Sequence, residues 1–567
     1  MKIIYNKKDP RYIFITGATS REIGILEKHF NKIPQYMLLP TFTGTPRPDV
    51  FLEKFKKGDE WILFCAAGLW KELVDFCKSK NLVIDASNIN KEFKYTPFNL
   101  SKQEFYEYVK GWNMNIEPRP YQLDAAWLIL KYNTSLSELA TRAGKTLIFT
   151  IIARTTMELM GAKNILMIVP SIHLVKQGVK DINEYKDYFK SEQIWGGGEF
   201  MEYSNLTIGT FQSLVKMANP KDKKYNPKFF EKFDVICCDE AHRCDCKSIK
   251  TILAVDAMKN VKLKFGFTGT LPKPNTIEWL SVQAMLGPKI QEITARELIE
   301  EGFLADPIIK QFRLVYDKQS IIKPMIESLE YLLSIYKKEK GNKVLLDKSE
   351  RKMTRTHQKE LPVAIQLAKQ ELDEEKYFEY LVKLAKGSSQ SLNAEQMTSM
   401  FSENKVRLIE RIVKNLNKNV IVFAHNTEYI KYLHERLTEI CPDKIVMKMT
   451  GANTVKNRQK IMEQMKGSDN CILIGSFGVI STGLTFPNVD YGLFAQSFAS
   501  DVINRQSLGR LMLRTKEKSE FYLYDIIDVY PSKKLYNQGL AKIRTYKSEG
   551  HRHEIVRMDE KFKTINI

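Results

Sequence analysis

"FDVICCDEAHRCDC", residues 233–246, decides how this chain is read. Val235 to Cys238 run apolar without alternation, and the run stops at Asp239-Glu240. A strand with one wet face would alternate; a strand covered on both faces reads like this one. The stretch therefore predicts a buried parallel strand carrying two carboxylates at its carboxyl end, where ligands sit in open α/β sheets.

Working outward, "ILMIVP" (165–170), "LTIGT" (206–210) and "KFGFTGT" (264–270) repeat the pattern, with helical stretches between them. It returns in "NVIVFAH" (419–425), "NCILIGS" (470–476) and "VDYGLFAQS" (489–497). Two tandem parallel-sheet α/β domains are expected, over 96–312 and 406–530. A small α/β or α+β domain with its own core is expected over 1–95. The charged stretch 313–405 reads as a helical insertion or linker, and 531–567 as a helical tail. A chain of 567 residues is long enough for such a set.

The net charge of +20 attracts polyanions, and nucleic acid is the commonest of these; a lysine-rich proteome would give the same charge without a partner. Eight cysteines in a chain of this length form no disulfide framework. The start has no apolar signal core, and no apolar run approaches the ~20 residues of a membrane span. The expectation is a soluble protein of a reducing cytoplasm, with no membrane partner.

"SELATRAGKTLIFT" (137–150) offers a phosphate loop at Gly144-Lys145-Thr146. Such a loop needs inward N–H groups, here from Thr141, Arg142 and Ala143, a lysine against phosphate charge, and a hydroxyl for Mg²⁺. The following helix would add its positive end. The strict pattern fails, because Leu139 stands where its first glycine should be and Arg142 replaces another. Alone the tripeptide is weak. Asp239-Glu240 strengthens it, since one carboxylate can hold Mg²⁺ and the other polarise water. Four cysteines and His242 between 237 and 246 invite zinc, but neighbours on a strand such as Cys237 and Cys238 point to opposite faces, so reduced thiols are the reading adopted. "GGG" at 196–198 reads as a turn.

The ordered set of motifs from about 120 to 530 resembles the DEAH-box helicases of superfamily 2. "RPYQ" (119–122) matches the adenine-reading element, with Arg119 and Gln122; an amide pairs well with an adenine edge. "MIVPSIHLVKQ" (167–177) and "TIGTFQSL" (207–214) match strand-contact motifs, implying Ser171, Lys176, Gln177, Thr210 and Gln212. "FTGTL" (267–271) matches the coupling motif, Thr268, Gly269 and Thr270, to which His242 would connect. "VIVFAHNTEYIKYL" (420–433) implies strand contacts from His425 and Asn426. "GSFGVISTGLTFPNV" (475–489) implies them from Ser481 and Thr482, with Gly483 at the nucleotide. "QSLGRLMLR" (506–514) matches the arginine-finger helix, with Gln506, Arg510 and Arg514.

The resemblance is closer to the UvsW-type recombination and branch-migration helicases of T-even bacteriophages. It rests on "TRAGKT", "IWGGGEF" (194–200), "SFGVISTGL" and "DEKFKTINI", and in the first domain on "ILFCAAGLWKELVDFCKSKNLVIDAS". It implies two RecA-like domains with ATP and Mg²⁺ in the cleft between them. Lys145 would neutralise phosphate charge, Thr146 and Asp239 place the metal, and Glu240 deprotonate water. Arg510 and Arg514 stand four apart, where three is usual; on a helix either spacing shares one face, so either could be the finger. Arg142 would be strained only if its φ is positive. The implied activity is ATP-driven unwinding, branch migration, fork regression and strand annealing. The implied partners are single-stranded, duplex and branched DNA, with single-strand-binding or recombination proteins, for a monomer in the host cytoplasm. Two rivals stay open: an RNA helicase or a translocase that never separates strands, and an annealing protein with a vestigial ATPase.

Overall fold

The computed structural model describes residues 1–34, 37, 45–87, 98–185, 194–195, 205–245, 247–314, 400, 402–480, 486, 488–496, 500–516, 518–529 and 533–558. The chain divides into two compact units, Met1–Thr294 and Ala295–Ile567. The glycines at 196–198 and nearly all of the charged 313–405 stretch lie outside the described residues. Among the described residues, no helix is long and apolar enough to cross a membrane.

The first unit opens with an antiparallel sheet in the order β1 (Lys2–Tyr5), β2 (Tyr12–Thr16), β4 (Glu60–Ala66), β3 (Leu52–Lys57). Ile13, Ile15, Leu63 and Cys65 alternate inward and meet Leu26, Phe30 and Leu73 from the helices Ser20–Phe30 and Trp70–Ser79. The first helix starts where it does because Thr19 and Glu22 satisfy each other's backbone N–H groups. Contrary to expectation this core is not self-contained. Leu280 and Ala284, from the helix Ile277–Leu286, belong to the same cluster. The approach is close enough that a Cβ on Gly68 would overlap the Gln283 carbonyl. Glu72 ties the contact, accepting from Trp279 Nε1 at 3.0 Å while its other oxygen meets His29 Nε2 at 3.0 Å.

The rest of the unit is a wholly parallel sheet. Its strands are β5 (Thr134–Leu139), β6 (Ile165–Val169), β7 (Ile194–Trp195), β8 (Leu206–Thr210), β9 (Val235–Asp239), β10 (Leu263–Thr268) and β11 (Lys289–Ile293). They lie in the order β11-β5-β10-β9-β6-β8-β7. Every residue of β6 and β8 is buried, as their unbroken apolar runs require.

The second unit holds another wholly parallel sheet. Its strands are β12 (Asp306–Leu314), β13 (Val420–Ala424), β14 (Ile445–Met449), β15 (Cys471–Ser476), β16 (Tyr491–Phe494), β17 (Glu520–Asp528) and β18 (Arg552–Met558). The order is β14-β15-β13-β16-β17-β12-β18. Two expected boundaries move. Residue 312, taken as the end of the first parallel domain, falls inside β12, which pairs only with β17 and β18. The expected helical tail is a helix, Lys533–Ser548, followed by a strand that extends the sheet.

This second core contains charge. Lys405 donates to both oxygens of Asp528 at 3.0 and 2.9 Å, with both side chains essentially inaccessible. Asp525 is held by Lys542, by Gln311 Nε2 at 3.0 Å and by the Tyr546 hydroxyl at 3.0 Å. Both carboxylates lie on β17 and reach opposite partners: Lys405 precedes β13, and Lys542 and Tyr546 lie on the penultimate element.

Candidate active site

The loop 140–144 leaves β5 at its carboxyl end and feeds the helix Lys145–Met160. It is anchored at both sides. Ala140 N–H donates to Ile293 O at 2.9 Å and Ala143 N–H to Ala140 O at 3.1 Å. Ala143 is fully buried, and its carbonyl accepts from Gln122 Nε2 at 3.0 Å and the Tyr121 hydroxyl at 3.1 Å. Gln122 Oε1 in turn accepts from Arg119 N–H at 2.9 Å. The resemblance makes Gln122 the adenine reader. The structure engages both ends of that amide within the protein and leaves the residue 5% exposed. Its observed work is to join the helix Pro120–Leu130 to the loop.

Arg142 has φ 72° and Gly144 φ 80°. The alternative of a negative φ at Arg142 is therefore corrected: the loop does turn left-handed there. Two left-handed residues flanking Ala143 reverse the chain tightly before the helix, and an L side chain in that region costs of order 1 kcal/mol. Arg142→Val, β-branched at a positive φ, is expected to be about 1 kcal/mol or more less stable than Arg142→Gly in chemical denaturation, both variants having lost the arginine's own interactions. Equal stabilities would contradict the strain. At Gly144 a Cβ would be strained by the positive φ and would push Gln122 Nε2 off the Ala143 carbonyl.

Asp239 ends β9, and Glu240 follows with φ 54°. The Glu240 N–H donates to Asp239 Oδ1 at 3.0 Å. The left-handed residue turns the second carboxylate back toward His242, whose Nδ1 lies 3.3 Å from Glu240 Oε2 and 3.0 Å from Thr268 Oγ1. The Thr268 hydroxyl donates to Thr270 O at 3.0 Å and accepts the Thr270 N–H at 3.2 Å, so it accepts from the imidazole and Nδ1 carries the proton. His242 thus bridges Glu240 to the turn after β10. A Cβ on Gly269 would sit 3.7 Å from Lys145 Nζ and 3.4 Å from Thr141 Oγ1, which places the ammonium at that same turn. Lysine, carboxylate pair and threonine turn thus gather at the carboxyl ends of β5, β9 and β10, neighbours in the sheet.

Burial pushes the Asp239 carboxyl up to about 6; Glu240 adds to the rise, and Lys145 opposes it. A carboxyl that binds its proton more tightly when folded lowers stability as pH climbs from the unfolded value of about 3.9 through the folded one, and the deficit persists above it. Nucleotide-free Asp239→Asn is therefore expected to melt higher than wild type near pH ~7.5, with the gap closing toward pH ~4. Calorimetry of both proteins across that range checks this; a gap independent of pH would refute it. A buried carboxylate in this state suits a cation. Among the described residues no group of three or more His, Cys, Asp or Glu side chains forms a metal cage.

The expected strand-contact residues of the first unit gather at the ends of β6 and β8. Gln212 Nε2 donates to Pro170 O at 3.1 Å, which joins the two turns. Thr210 Oγ1 caps the helix Phe211–Ala218, and Ser171 Oγ accepts from Leu174 N–H at 3.4 Å. Lys176 is exposed. Gln177 faces Asp181 on its own helix, Ile172–Tyr185.

In the second unit Asn426 caps the helix Thr427–Ile440. His425 N–H donates to Gln496 Oε1 at 2.8 Å. Gln496, 3% exposed, was missed in the sequence; a glutamine ending the run "YGLFAQ" was its one signal. Ser481, Thr482 and Gly483 lie outside the described residues. Gln506 and Arg510 are half-buried on the helix Asp501–Leu511. Arg514 is not on it. The helix closes because the Lys518 ammonium, 4% exposed, donates to Leu511 O at 2.6 Å, and Leu513 bridges to Leu304. Arg514 is exposed and runs beside Gly302. The shared helical face expected of Arg510 and Arg514 does not exist.

Residues 115–273 match the family described as Type III restriction enzyme, res subunit, and residues 403–512 match the Helicase conserved C-terminal domain. The chain is 26% identical over 532 residues to the ATP-dependent DNA helicase uvsW of Enterobacteria phage T4, covering 88% of each. It is 22% identical over 494 residues to the DNA 3'-5' translocase XPB2 of Sulfurisphaera tokodaii, covering 86% of this chain and 95% of that one. The crystal structure of T4 UvsW aligns over 99% of both chains at 21% identity, with a TM-score of 0.42. The Type ISP restriction-modification enzyme LlaBIII bound to DNA aligns over 78% of this chain and 31% of that one at 14% identity and a TM-score of 0.50, a likeness of fold.

Proposed function

From the premise that this chain belongs to the ATP-dependent DNA helicases of superfamily 2, we propose that it uses ATP to remodel branched DNA, by unwinding, branch migration and fork regression. The gathering of Lys145, Asp239-Glu240 and Thr268-Thr270 at three adjacent strand ends carries the motor reading. The likeness to a phage DNA helicase over 88% of the chain supports the branched-DNA reading.

In this mechanism the loop N–H groups and Lys145 hold the β- and γ-phosphates. Asp239 and Thr146 would hold Mg²⁺, which would supply charge neutralisation at the phosphates. Glu240 orients water and takes its proton. His242, hydrogen-bonded to Thr268 and 3.3 Å from Glu240, passes the state of the phosphate site to the turn after β10. Arg510, the arginine that remains on its helix, is the finger, chosen for a permanent charge on a forked donor array. Its assignment has a direct check: Arg510→Ala is expected to lower DNA-stimulated turnover about 10²-fold or more, and Arg514→Ala less than about threefold. The reverse order would transfer the role to Arg514. Ser171, Lys176, Thr210, Gln212, His425 and Asn426 contact phosphate and sugar, so binding is weakly sequence-specific and salt-sensitive.

Steady-state ATP turnover with single-stranded DNA, duplex DNA, forked DNA and RNA tests the substrate class. Strongest stimulation by the fork supports the proposal. Strongest stimulation by RNA would replace it with an RNA helicase. Salt-sensitive binding without turnover on any of them would leave an annealing protein.

A further inference from the structure

A cavity of about 290 Å³ lies inside the first unit, far along the strands from Lys145. One wall comes from the N-terminal sheet, with Tyr5, Arg11 and Tyr12; the other comes from the amino ends of β5 and β10, with Thr134 and Lys264. Four cations line it and no carboxylate does. Three of the four are already neutralised from behind. Arg11 pairs with Asp9 at 2.7 Å and Asp256 at 3.1 Å, Lys259 with Asp256 at 2.7 Å, and Lys262 with Asp234 at 3.1 Å. Lys264 has no such partner among the described residues. Burial, with Arg11 adding to it, brings its ammonium down to about 8.

Lys264 stands directly opposite Thr134 in the parallel register, so both side chains leave the sheet on one face. Thr134 Oγ1 is buried and has no hydrogen-bond partner. A cation without an anion and a hydroxyl without an acceptor, side by side at the wall of a cavity, are an unusual pair. The buried Thr134 hydroxyl costs stability while nothing fills the space, and the half-buried Lys264 ammonium keeps only part of its hydration there. Both are donors, so what they lack is an acceptor with negative charge. Tyr5, Tyr12 and Met258 add apolar atoms to the same lining. The volume, at the small end of ligand pockets, limits the occupant to about the size of a mononucleotide.

We propose that this cavity binds a small phosphate ester, with its phosphate on Lys264 and Thr134 and its organic part against the two tyrosines. Because the walls belong to the N-terminal sheet and to the motor sheet, the ligand braces one against the other.

The test uses the full chain saturated with ADP and Mg²⁺, so that the loop at Lys145 is occupied. Amines are acetylated briefly near pH ~8 and Lys264 is read by peptide mass spectrometry. Pyrophosphate and AMP are titrated against sodium chloride of matched ionic strength. The expected result is at least about fivefold protection of Lys264 by millimolar pyrophosphate or AMP and none by chloride. Protection by pyrophosphate alone would assign the site to free phosphates, and protection by AMP at lower concentration would assign it to a nucleotide. Equal labelling throughout, or equal protection by chloride, would overturn the proposal. Lys264→Gln should keep DNA-stimulated turnover and lose the rise in melting temperature that pyrophosphate gives the ADP-saturated wild type. Retention of that rise would also overturn the proposal.

Discussion

Lys145→Ala is expected to lower DNA-stimulated ATP turnover by about 10²- to 10³-fold while leaving the melting temperature of the nucleotide-free protein within a few degrees of wild type. The ammonium stands at the turn around Gly269, where a phosphate held by the loop would need positive charge. It does not hold the fold together: among the described residues no carboxylate lies within ion-pair reach of it. Its removal therefore withdraws stabilisation from the reacting phosphate and, in the fold, only the through-space charge that steadies the Asp239 carboxylate. Lys145→Arg should fare no better, because a planar guanidinium does not replace a compact ammonium in a loop closed by Gly144 against Gln122. Turnover within about threefold of wild type in either variant would mean that the loop binds nucleotide without catalysing its hydrolysis.

Lys405→Met is expected to destabilise the second unit by about 3–5 kcal/mol, because it leaves Asp528 buried without its cation. For a unit of this size that lowers the melting temperature by roughly 6–20 °C. The double variant Lys405→Met/Asp528→Leu should recover most of the loss, since apolar groups of similar volume often replace a buried pair at little cost. Urea denaturation of the wild type, both single variants and the double variant forms a closed cycle. A loss below about 1 kcal/mol in Lys405→Met would mean that water reaches the pair.

These two lysines show what the sequence discloses and what it hides. Lys145 was legible because strand ends, a glycine and two distant carboxylates agree on one place. The central strands β6, β8, β9, β10, β13 and β15 were legible for the same reason, as unbroken apolar runs. Lys405 was not legible. It lies in the charged segment read as a helical insertion or linker, and only the fold brings it to Asp528. Strand β12 hid similarly: "DPIIKQFRL" buries alternate residues, so its lysine and arginine looked like the fringe of the previous domain. β18 hid behind "RHEIVRM", whose polar residues suit a sheet edge. Gln122 and Arg514 were found by position, but the amide's partner inside the loop and the end of the helix before Arg514 were not legible. An amide's partners and a helix's last residue depend on neighbours distant in sequence, Ala143 in one case and Lys518 in the other.

β12 has a consequence for biosynthesis. Gln311 on β12 and Asp525 on β17 are 214 residues apart, and β18 follows later still. At a ribosomal pace of ~5–20 residues per second, β12 waits for roughly 10–40 s with both edges open before either neighbour emerges. An open strand is a template for the wrong chain. A nascent chain at this stage should depend on chaperones, and any fragment ending before Arg552 should carry a permanently sticky edge and aggregate where the longer chain does not.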